Sequence, residues 1–263
     1  MSRTRTVRQP VVAGLFYPAD AGELAATVDA LLDRAARPTS AARPAALVAP
    51  HAGYTYSAPV AASAFVHATH ARRVVLLGPS HFVPLDGLAV SSADAWATPL
   101  GDVPVASDMR ERARAAGAFV DDAPHDRDHA LEVELPFLQR ACPAGLEILP
   151  VAVGRSTAAA VAALVEALDA LVVVSTDLSH YHPDAVARTL DRRTADAVVD
   201  RDPSGIADDA ACGVFALRGL VEHARRHELD GELLDLRTSS DTAGDAGRVV
   251  GYGAFAFRAR QSA

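Results

Sequence analysis

Four continuous apolar runs constrain the fold of this chain most strongly. They lack the alternation of polar and apolar residues that a half-exposed strand shows, so they predict strands buried on both faces. Helix-period segments separate them, an order typical of an α/β domain with a largely parallel central sheet flanked by helices. The predicted strands lie in residues 46–50, 73–80, 146–153 and 171–177, and the predicted helices in residues 22–35, 59–70, 129–141 and 156–171.

Two further segments have different patterns. Residues 248–260 alternate, which predicts a strand with one more polar face. Residues 85–108 are rich in Gly, Pro and Ser, which predicts a long loop or a hairpin. Neither an internal repeat nor a break in composition divides the sequence, so we expect residues 1–263 to form a single layered domain.

Composition excludes several functions. The formal net charge of −8 gives no basic field that would attract nucleic acid. No apolar run approaches the roughly 18 residues of a membrane span, and Cys142 and Cys212 are the only cysteines. We therefore expect a cytoplasmic protein with reduced thiols. All 25 basic residues are arginine, so Schiff-base chemistry and a Walker A phosphate loop, which both need lysine, are excluded.

Histidines follow three of the predicted strands at the point where each strand ends. His51 and His81 come after their strands, and His180 follows Asp177 after the last of the four runs. Because ligands bind at the carboxyl ends of strands in open α/β sheets, we expect these side chains to meet in one crevice. Neutral imidazole is the commonest metal ligand, so the cluster predicts a metal site. The candidates for a third, anionic ligand are Asp177, Glu132 and Cys212.

Cys212 lies in a stretch of small residues, ADDAACGVFAL, that interrupts helical periodicity. Such a cysteine would lie in a loop or at the start of a helix, where free backbone N–H groups favour the thiolate. The competing interpretation is a buried, inert cysteine that behaves as a small apolar residue. The residues by themselves leave both interpretations open.

Other polar residues have plainer interpretations. His125 and His129 have the i, i+4 spacing of a helical metal pair, but a nearby proline and the surrounding acids predict the start of a helix with solvated charges. Asp128 would cap that helix. His223 and His227 are expected on a solvent-exposed face.

Seven motifs then occur in fixed order: APHAGYTYS, LLGPSHF, WATPLGDVPV, DHALEVELPFLQ, VSTDLSHY, ACG and VVGYGAFAF. Together they closely resemble the Memo family, also described as AmmeMemoRadiSam system protein B. The resemblance extends from about residue 8 to about residue 257. Two positions depart from the family's pattern: Ala58 stands where glycine is common, and Glu134 stands where glutamine is common. Neither is expected to touch the proposed ligands.

The resemblance implies a fold similar to that of LigB-type class III extradiol dioxygenases, with a non-haem Fe(II) ion at a sheet edge. It implies that His51, His81 and Cys212 are the metal ligands, and that Asp177 and His180 line the pocket. His180 would move protons, and Asp177 would orient it or hydrogen-bond a ligand. Because thiolate favours Cu(I), Zn or Fe, we expect Fe(II), with Cu or Zn as alternatives. The expected activity is metal-dependent oxidation, similar to a dioxygenase reaction but without catechol ring cleavage, on an unknown substrate.

Two alternatives stay open. The cleft could be a binding module for a peptide, including a phosphorylated one, that uses arginines such as Arg127 or Arg237. The family resemblance also implies partners of AMMECR and radical SAM type. A metallohydrolase would use the same ligands with Zn to activate water, and His180 or Asp177 would act as the base.

Four more residues are candidates for supporting roles. Glu132 lies in an apolar helical stretch and would make a contact that supports the pocket. Three tyrosines would close the pocket or pack as ordinary aromatics, and the sequence leaves both open. They are Tyr54, Tyr56 and Tyr181.

Overall fold

A computed structural model describes residues 5–36 and 42–260. These ranges contain helices, strands and one short 3-10 helix, Ser239–Asp241. The strands are β1 (Val7–Arg8), β2 (Pro44–Ala49), β3 (Arg73–Gly78), β4 (Leu88–Val90), β5 (Ala95–Thr98), β6 (Gly101–Pro104), β7 (Phe119–Val120), β8 (Glu147–Val153), β9 (Leu171–Ser175), β10 (His180–His182), β11 (Leu229–Thr238) and β12 (Val249–Ala259). The helices are α1 (Ala21–Arg34), α2 (Tyr54–Phe65), α3 (Ser107–Ala115), α4 (Ala123–Asp126), α5 (Leu135–Ala141), α6 (Ala158–Glu166), α7 (Asp184–Val199) and α8 (Val214–Arg226).

Most strands belong to one large sheet whose centre is parallel. β2, β9, β3 and β8 lie side by side in that order and run in the same direction. β12 pairs antiparallel with β2, and both β10 and β11 pair antiparallel with β12. At the other side, β4 pairs antiparallel with β8 and parallel with β7. The four apolar runs form the buried centre of this sheet, and the predicted α/β class with flanking helices is confirmed.

Several helix boundaries differ from the predictions. α2 begins at Tyr54 and ends at Phe65, and α6 begins after Thr157, whose side chain accepts a hydrogen bond from the backbone N–H of Ala160. The largest difference concerns residues 129–141, of which only Leu135–Ala141 are helical. A proline in the first turn of α5 favours a helix start there. Residues 130–134 form turns instead, so the prediction of a helix over this part was wrong.

The last strand corrects a second prediction. β12 is buried along nearly its whole length, so neither face is polar. Its alternation is between large and small residues, and both α2 and α7 pack against it. A Cβ atom on Gly251 would lie only 1.9 Å from Oδ2 of Asp191 in α7, so the small residues allow this close approach.

The segment 85–108 contains a hairpin, which is one of the two structures predicted for it. β5 and β6 pair antiparallel, and β1 adds to β5 to complete a separate three-stranded sheet. β4, at the start of the segment, joins the large sheet instead. Among the described helices, none combines the length and the apolar character that crossing a membrane would require.

Candidate metal centre

Neighbouring strands deliver histidines to one edge of the large sheet. β2, β9 and β3 are adjacent and parallel, so their carboxyl ends lie together. His51 follows β2 and His81 follows β3, and the centroids of their rings are 5.2 Å apart. Asp177 and His180 follow β9, the strand that lies between β2 and β3 in the sheet. The fold therefore brings these strand ends into one crevice, as their positions in the sequence predict.

A third histidine joins this pair, and sequence reasoning missed it. The ring of His129 stacks on that of His81 with centroids 4.9 Å apart, and it lies 5.5 Å from the ring of His51. One nitrogen of each of the three rings lies within 4.8 Å of the others. His125, the expected partner of His129, is buried elsewhere, where its Nε2 lies 3.1 Å from the carbonyl oxygen of Ala89. The i, i+4 interpretation fails because α4 ends at Asp126, between the two histidines.

Asp128 holds His81 in place. Its Oδ2 accepts a hydrogen bond from the backbone N–H of His81 at 2.6 Å, and its Oδ1 lies 3.1 Å from Nδ1 of the His81 ring. Oδ1 also accepts from the backbone N–H of Ala130, so Asp128 closes a turn rather than capping the predicted helix. Burial alone would raise the pKa of Asp128, but the hydrogen bonds from His81 and Ala130 lower it to about 2. This ionised carboxylate fixes the proton of His81 on Nδ1 and leaves Nε2 for a ligand.

Ser175 holds His51 through a fully buried set of hydrogen bonds. Its Oγ lies 2.8 Å from Nδ1 of His51, 2.8 Å from the carbonyl oxygen of Ala130 and 2.7 Å from Oε1 of Glu134. A hydroxyl has one proton and two acceptor lone pairs, and the Ala130 carbonyl can only accept. All three hydrogen bonds form together only when Ser175 donates to Ala130 and both other groups donate to Ser175. His51 then carries its proton on Nδ1, and Glu134 is a neutral carboxylic acid.

The burial of both groups agrees with this assignment. Burial raises the pKa of Glu134 well above its usual value, and the nearby charge of Asp177 raises it further. Burial lowers the pKa of His51 well below its usual value, and His81 and His129 add to the effect. His51 is therefore a neutral imidazole whose Nε2 faces away from Ser175 and toward Sγ of Cys212, with its lone pair on that side.

Cys212 lies against His51 at the turn that precedes α8. Its Sγ is 3.4 Å from Nε2 of His51 and accepts a hydrogen bond from the backbone N–H of Asp177 at 3.3 Å. Gly213 makes this approach possible, because a Cβ atom there would lie 2.9 Å from the side chain of Thr176. Burial, together with the charge of Asp177, raises the pKa of Cys212 to about 12. The backbone N–H groups of Asp177 and Gly213 lower this pKa, but burial outweighs them, which favours the buried-cysteine interpretation of the two that the sequence left open.

Asp177 and His180 lie beside these donors but do not act as a pair. Oδ1 of Asp177 accepts a hydrogen bond from the backbone N–H of His51 at 2.9 Å. Nδ1 of His180 lies 2.7 Å from the carbonyl oxygen of Leu178, which orients the ring. Asp177 therefore supports the backbone of His51, and the contact that orients His180 comes from the backbone of Leu178. Burial lowers the pKa of His180, although the hydrogen bond to the Leu178 carbonyl partly opposes this shift.

A cavity of about 450 Å³ opens beside His81 and Cys212. Its wall includes two aromatic rings, Phe82 and Phe215, and the side chain of Arg155. Phe82 is 53% exposed, so it stands at the mouth. The wall also contains Asp86, which pairs with Arg155, so His81 and Cys212 face a cavity lined by apolar groups and an ion pair.

The comparison with known proteins identifies the family of this chain. Residues 8–256 match the family described as Memo-like protein. The chain belongs to this family. It is similar to a MEMO1 family protein of Aquifex aeolicus, with 34% identity over 261 residues that cover 94% of this chain and 97% of that protein. A MEMO1 family protein of Methanopyrus kandleri is 34% identical over 279 residues, covering 95% of this chain and 99% of that protein.

Of the two departures of this Memo-like chain from the motifs, one reaches the site. Ala58 is buried in α2. Glu134 does not touch a proposed ligand itself, but it contacts Ser175 and through it supports His51. A glutamine amide could donate the same hydrogen bond to Ser175 that a neutral Glu134 donates. The two residue types are therefore interchangeable only while the carboxyl stays protonated.

The supporting candidates of the Memo-like chain have other roles. Glu132 is fully buried, and its carboxylate accepts hydrogen bonds from the backbone N–H groups of Val11 and Val12, the hydroxyl of Tyr17 and the guanidinium of Arg8. It anchors the N-terminal segment and is not among the converging ligands.

The three tyrosines also differ from one another. Tyr54 is buried and donates a hydrogen bond to the carbonyl oxygen of Val133, which is a packing role. Tyr56 is 43% exposed, and Tyr181 is 62% exposed with the guanidinium of Arg248 over its ring. Tyr181 also has a φ of 65°, in the left-handed region. The cavity beside Cys212 has none of the three among its lining residues within the described chain.

Proposed function

We propose that this Memo-like chain is a metal-binding redox protein in which His51, His81 and Cys212 hold a non-haem Fe(II) ion. One observation carries the proposal: His51 and His81 follow neighbouring strands and meet at one sheet edge, and Cys212 contacts His51 there. The rings of His51 and His81 lie 5.2 Å apart, and Sγ of Cys212 lies 3.4 Å from Nε2 of His51. His129 belongs to the same group of nitrogens, so we include it as a further candidate ligand. These four residues are called the candidate metal centre below.

The chemistry of the donors supports a borderline or soft transition metal. Metal-binding histidines must be neutral, and burial lowers the pKa of His51 and of His129. A thiolate together with imidazoles favours Fe, Cu or Zn over Mg or Mn. A thiol that coordinates a metal is deprotonated, which would offset the raised pKa of Cys212. A bound Fe(II) ion would supply one-electron chemistry with O₂.

The chain's own residues have separate tasks in this proposal. His180 is neutral, and its Nδ1 proton is engaged with Leu178, so Nε2 can accept a proton from a substrate. Asp177 fixes the backbone of His51 and donates its own N–H to Cys212. Phe82 and Phe215 shield part of the cavity from water. The proposed reaction class is an oxidation similar to that of dioxygenases, with the substrate undetermined.

The test is metal analysis of the protein purified without oxygen. Iron, copper and zinc would be measured by elemental analysis in the wild type, His51→Ala, His129→Ala and Cys212→Ser. Two matched controls are Cys142→Ser, which changes the other cysteine, and His70→Ala, which changes a histidine outside the site. We expect near-stoichiometric iron in the wild type and both controls, and its loss in His51→Ala and Cys212→Ser.

Other results would change the assignment. Retention of iron in Cys212→Ser with loss in His129→Ala would make the ligands three histidines. Zinc in place of iron would favour the hydrolase alternative, in which His180 or Asp177 acts as the base. A wild type that takes up no metal, even after anaerobic reconstitution, would contradict both metal-dependent functions.

A binding module is the second candidate, because the cavity mouth combines an exposed aromatic ring with an arginine. The guanidinium carbon of Arg127 lies 5.4 Å from the ring centroid of Phe82. This pair suits a peptide, including a phosphorylated one, or a partner of AMMECR or radical SAM type. Arg237 is less suitable, because it pairs with Asp235 and lines a different cavity. In this case Arg127→Ala would weaken binding of a phosphopeptide, and Cys212→Ser would not.

A further inference from the structure

A second group of metal-binding side chains lies between the C-terminal ends of α6 and α8. Glu166 is the last residue of α6, and His223 and His227 lie one helical turn apart at the end of α8. Their ligand atoms all lie within 4.8 Å of one another. His227 follows the first residue of α8 by 13 positions, about 20 Å along the helix from the Cys212 end. We propose that Glu166, His223 and His227, the Glu166 site, bind a Zn²⁺ ion that links the two helices.

The distances are close to those that a zinc ion needs. Oε1 of Glu166 lies 3.3 Å from Nε2 of His227 and 4.0 Å from Nδ1 of His223. Bonds of about 2.0–2.1 Å in a tetrahedral site separate two ligand atoms by roughly 3.3 Å. One distance already has this value, and the other requires a small side-chain movement. Histidines at positions i and i+4 share a helix face, so both imidazoles reach toward Glu166.

One nitrogen at the Glu166 site lacks a hydrogen bond. The expectation of a solvent-exposed face was wrong for His223, whose side chain is only 14% exposed. Its Nδ1 is buried and has no hydrogen-bond partner within residues 5–36 and 42–260. Buried polar atoms normally have a partner. Burial, with the charge of His227, lowers the pKa of His223 to about 4, so this imidazole is neutral and able to bind a metal.

The charges around the Glu166 site act in both directions, because the helix ends favour a cation whereas Arg225 and Arg226 in the last turn of α8 oppose one. Both α6 and α8 end at this point, and the C-terminal end of a helix carries a partial negative charge. That charge repels the Glu166 carboxylate unless a cation lies between them. Nη1 of Arg226 is 3.3 Å from Glu166, but its Nε is 2.8 Å from Glu222. Arg226 therefore keeps a carboxylate partner when zinc occupies Glu166.

The two helices hold this arrangement closely. A Cβ atom on Gly219 of α8 would lie 2.2 Å from Cβ of Val161 in α6, so the helices contact each other at backbone distance. The donors thus come from two elements whose separation is set by packing. A zinc ion with three protein ligands would add a cross-link at the helix ends, with water in its remaining position.

The test is a Zn²⁺ titration by calorimetry of the wild type, His227→Ala and Glu166→Gln. Both substituted side chains are exposed enough that the fold is kept, and His70→Ala is the matched control. We expect the wild type and the control to bind one more zinc ion per chain than either variant. Affinity at the Glu166 site should fall at least about 10-fold, because loss of a ligand costs no less than loss of a supporting contact. A Zn-edge anomalous difference map of a soaked crystal should show a peak between α6 and α8.

The proposal is overturned if both variants bind zinc with the stoichiometry and affinity of the wild type, or if the map lacks that peak. It does not depend on the proposed function. Zinc that is lost in His51→Ala but kept in His227→Ala would be bound at the candidate metal centre, and it would count against the Glu166 site if the wild type binds no second zinc ion.

Discussion

The candidate metal centre and the Glu166 site use donors of similar kinds, but the chain supports them differently. At the centre, Asp128 holds His81 and Ser175 holds His51, and both of these supporting groups are buried. At the Glu166 site, His227 and Glu166 are exposed to 50% and 32%, and the neighbouring groups are surface arginines. Supporting contacts fix the orientation of a ligand and exclude alternative geometries. Under the two proposals, the buried support at the centre would select a metal and a reaction, whereas the Glu166 site would only cross-link two helices.

This difference has an energetic side. A buried polar group costs free energy unless it is hydrogen-bonded, so the supporting groups at the centre must all be satisfied together. Metal-binding side chains at a helix surface form hydrogen bonds with water and need no such set of buried supporting groups. Substitutions of residues that support the ligands should therefore lower metal affinity at the centre. At the Glu166 site, only substitutions of the ligands and of adjacent charged residues should change metal affinity.

The largest effect is expected for Asp128→Ala. The substitution frees the ring of His81 and removes the carboxylate that accepts from the backbone N–H groups of His81 and the buried Ala130. We expect metal affinity at the centre to fall about 10- to 100-fold and the free energy of unfolding to fall by about 1–3 kcal/mol. Metal titration and chemical denaturation measure the two effects. Asp126→Ala, at an exposed acid two residues earlier, is the control, and zinc binding at the Glu166 site should not change.

An unchanged metal affinity in Asp128→Ala would mean that His81 is not a ligand, or that stacking on His129 alone orients it.

A smaller effect is expected for Ser175→Ala, which removes the hydroxyl that fixes the proton of His51. Metal affinity should fall about 10-fold, and the loss of partners for Glu134 should destabilise the fold by about 1–3 kcal/mol. Glu134→Gln is the matched variant, because its amide can still donate to Ser175. We expect it to behave as the wild type and to lose the infrared band of one protonated carboxyl. If Glu134→Gln is as damaging as Ser175→Ala, the direction of these hydrogen bonds is wrong.

The strands that carry the centre could be predicted because their signal is local. Continuous apolar runs identify buried strands, and parallel order alone brings His51 and His81 to one edge. His129 could not be placed in this way. Its position depends on the turn that Asp128 makes by accepting from both Ala130 and His81, and His81 is 47 residues away. The spacing from His125 suggested a helix that the chain does not form.

The state of Cys212 and the Glu166 site depended on packing that the sequence does not show. Nearby N–H groups predicted a thiolate, but burial has the larger effect on the pKa of Cys212. His223 and His227 were expected to face solvent, because the sequence shows their own helix but not that α6 packs against it. The close contact between Gly219 in α8 and Val161 in α6 shows that these two helices pack together. Contacts between residues dozens of positions apart in the sequence can be identified only from the tertiary structure.

The smallest effect is expected for Arg226→Gln, which tests how the Glu166 site responds to an adjacent charge. Removing the guanidinium beside Glu166 should raise zinc affinity there about two- to fivefold, because surface ion pairs contribute up to about 1 kcal/mol. Calorimetry at low and high salt measures it, and the gain should shrink at high salt. Arg225→Gln is the control, since Arg225 pairs with Glu222. Equal affinity in both variants would mean that Arg226 stays on Glu222 and does not compete with zinc, whereas a gain confined to Arg226→Gln would show that surface charge, rather than buried support, tunes this site.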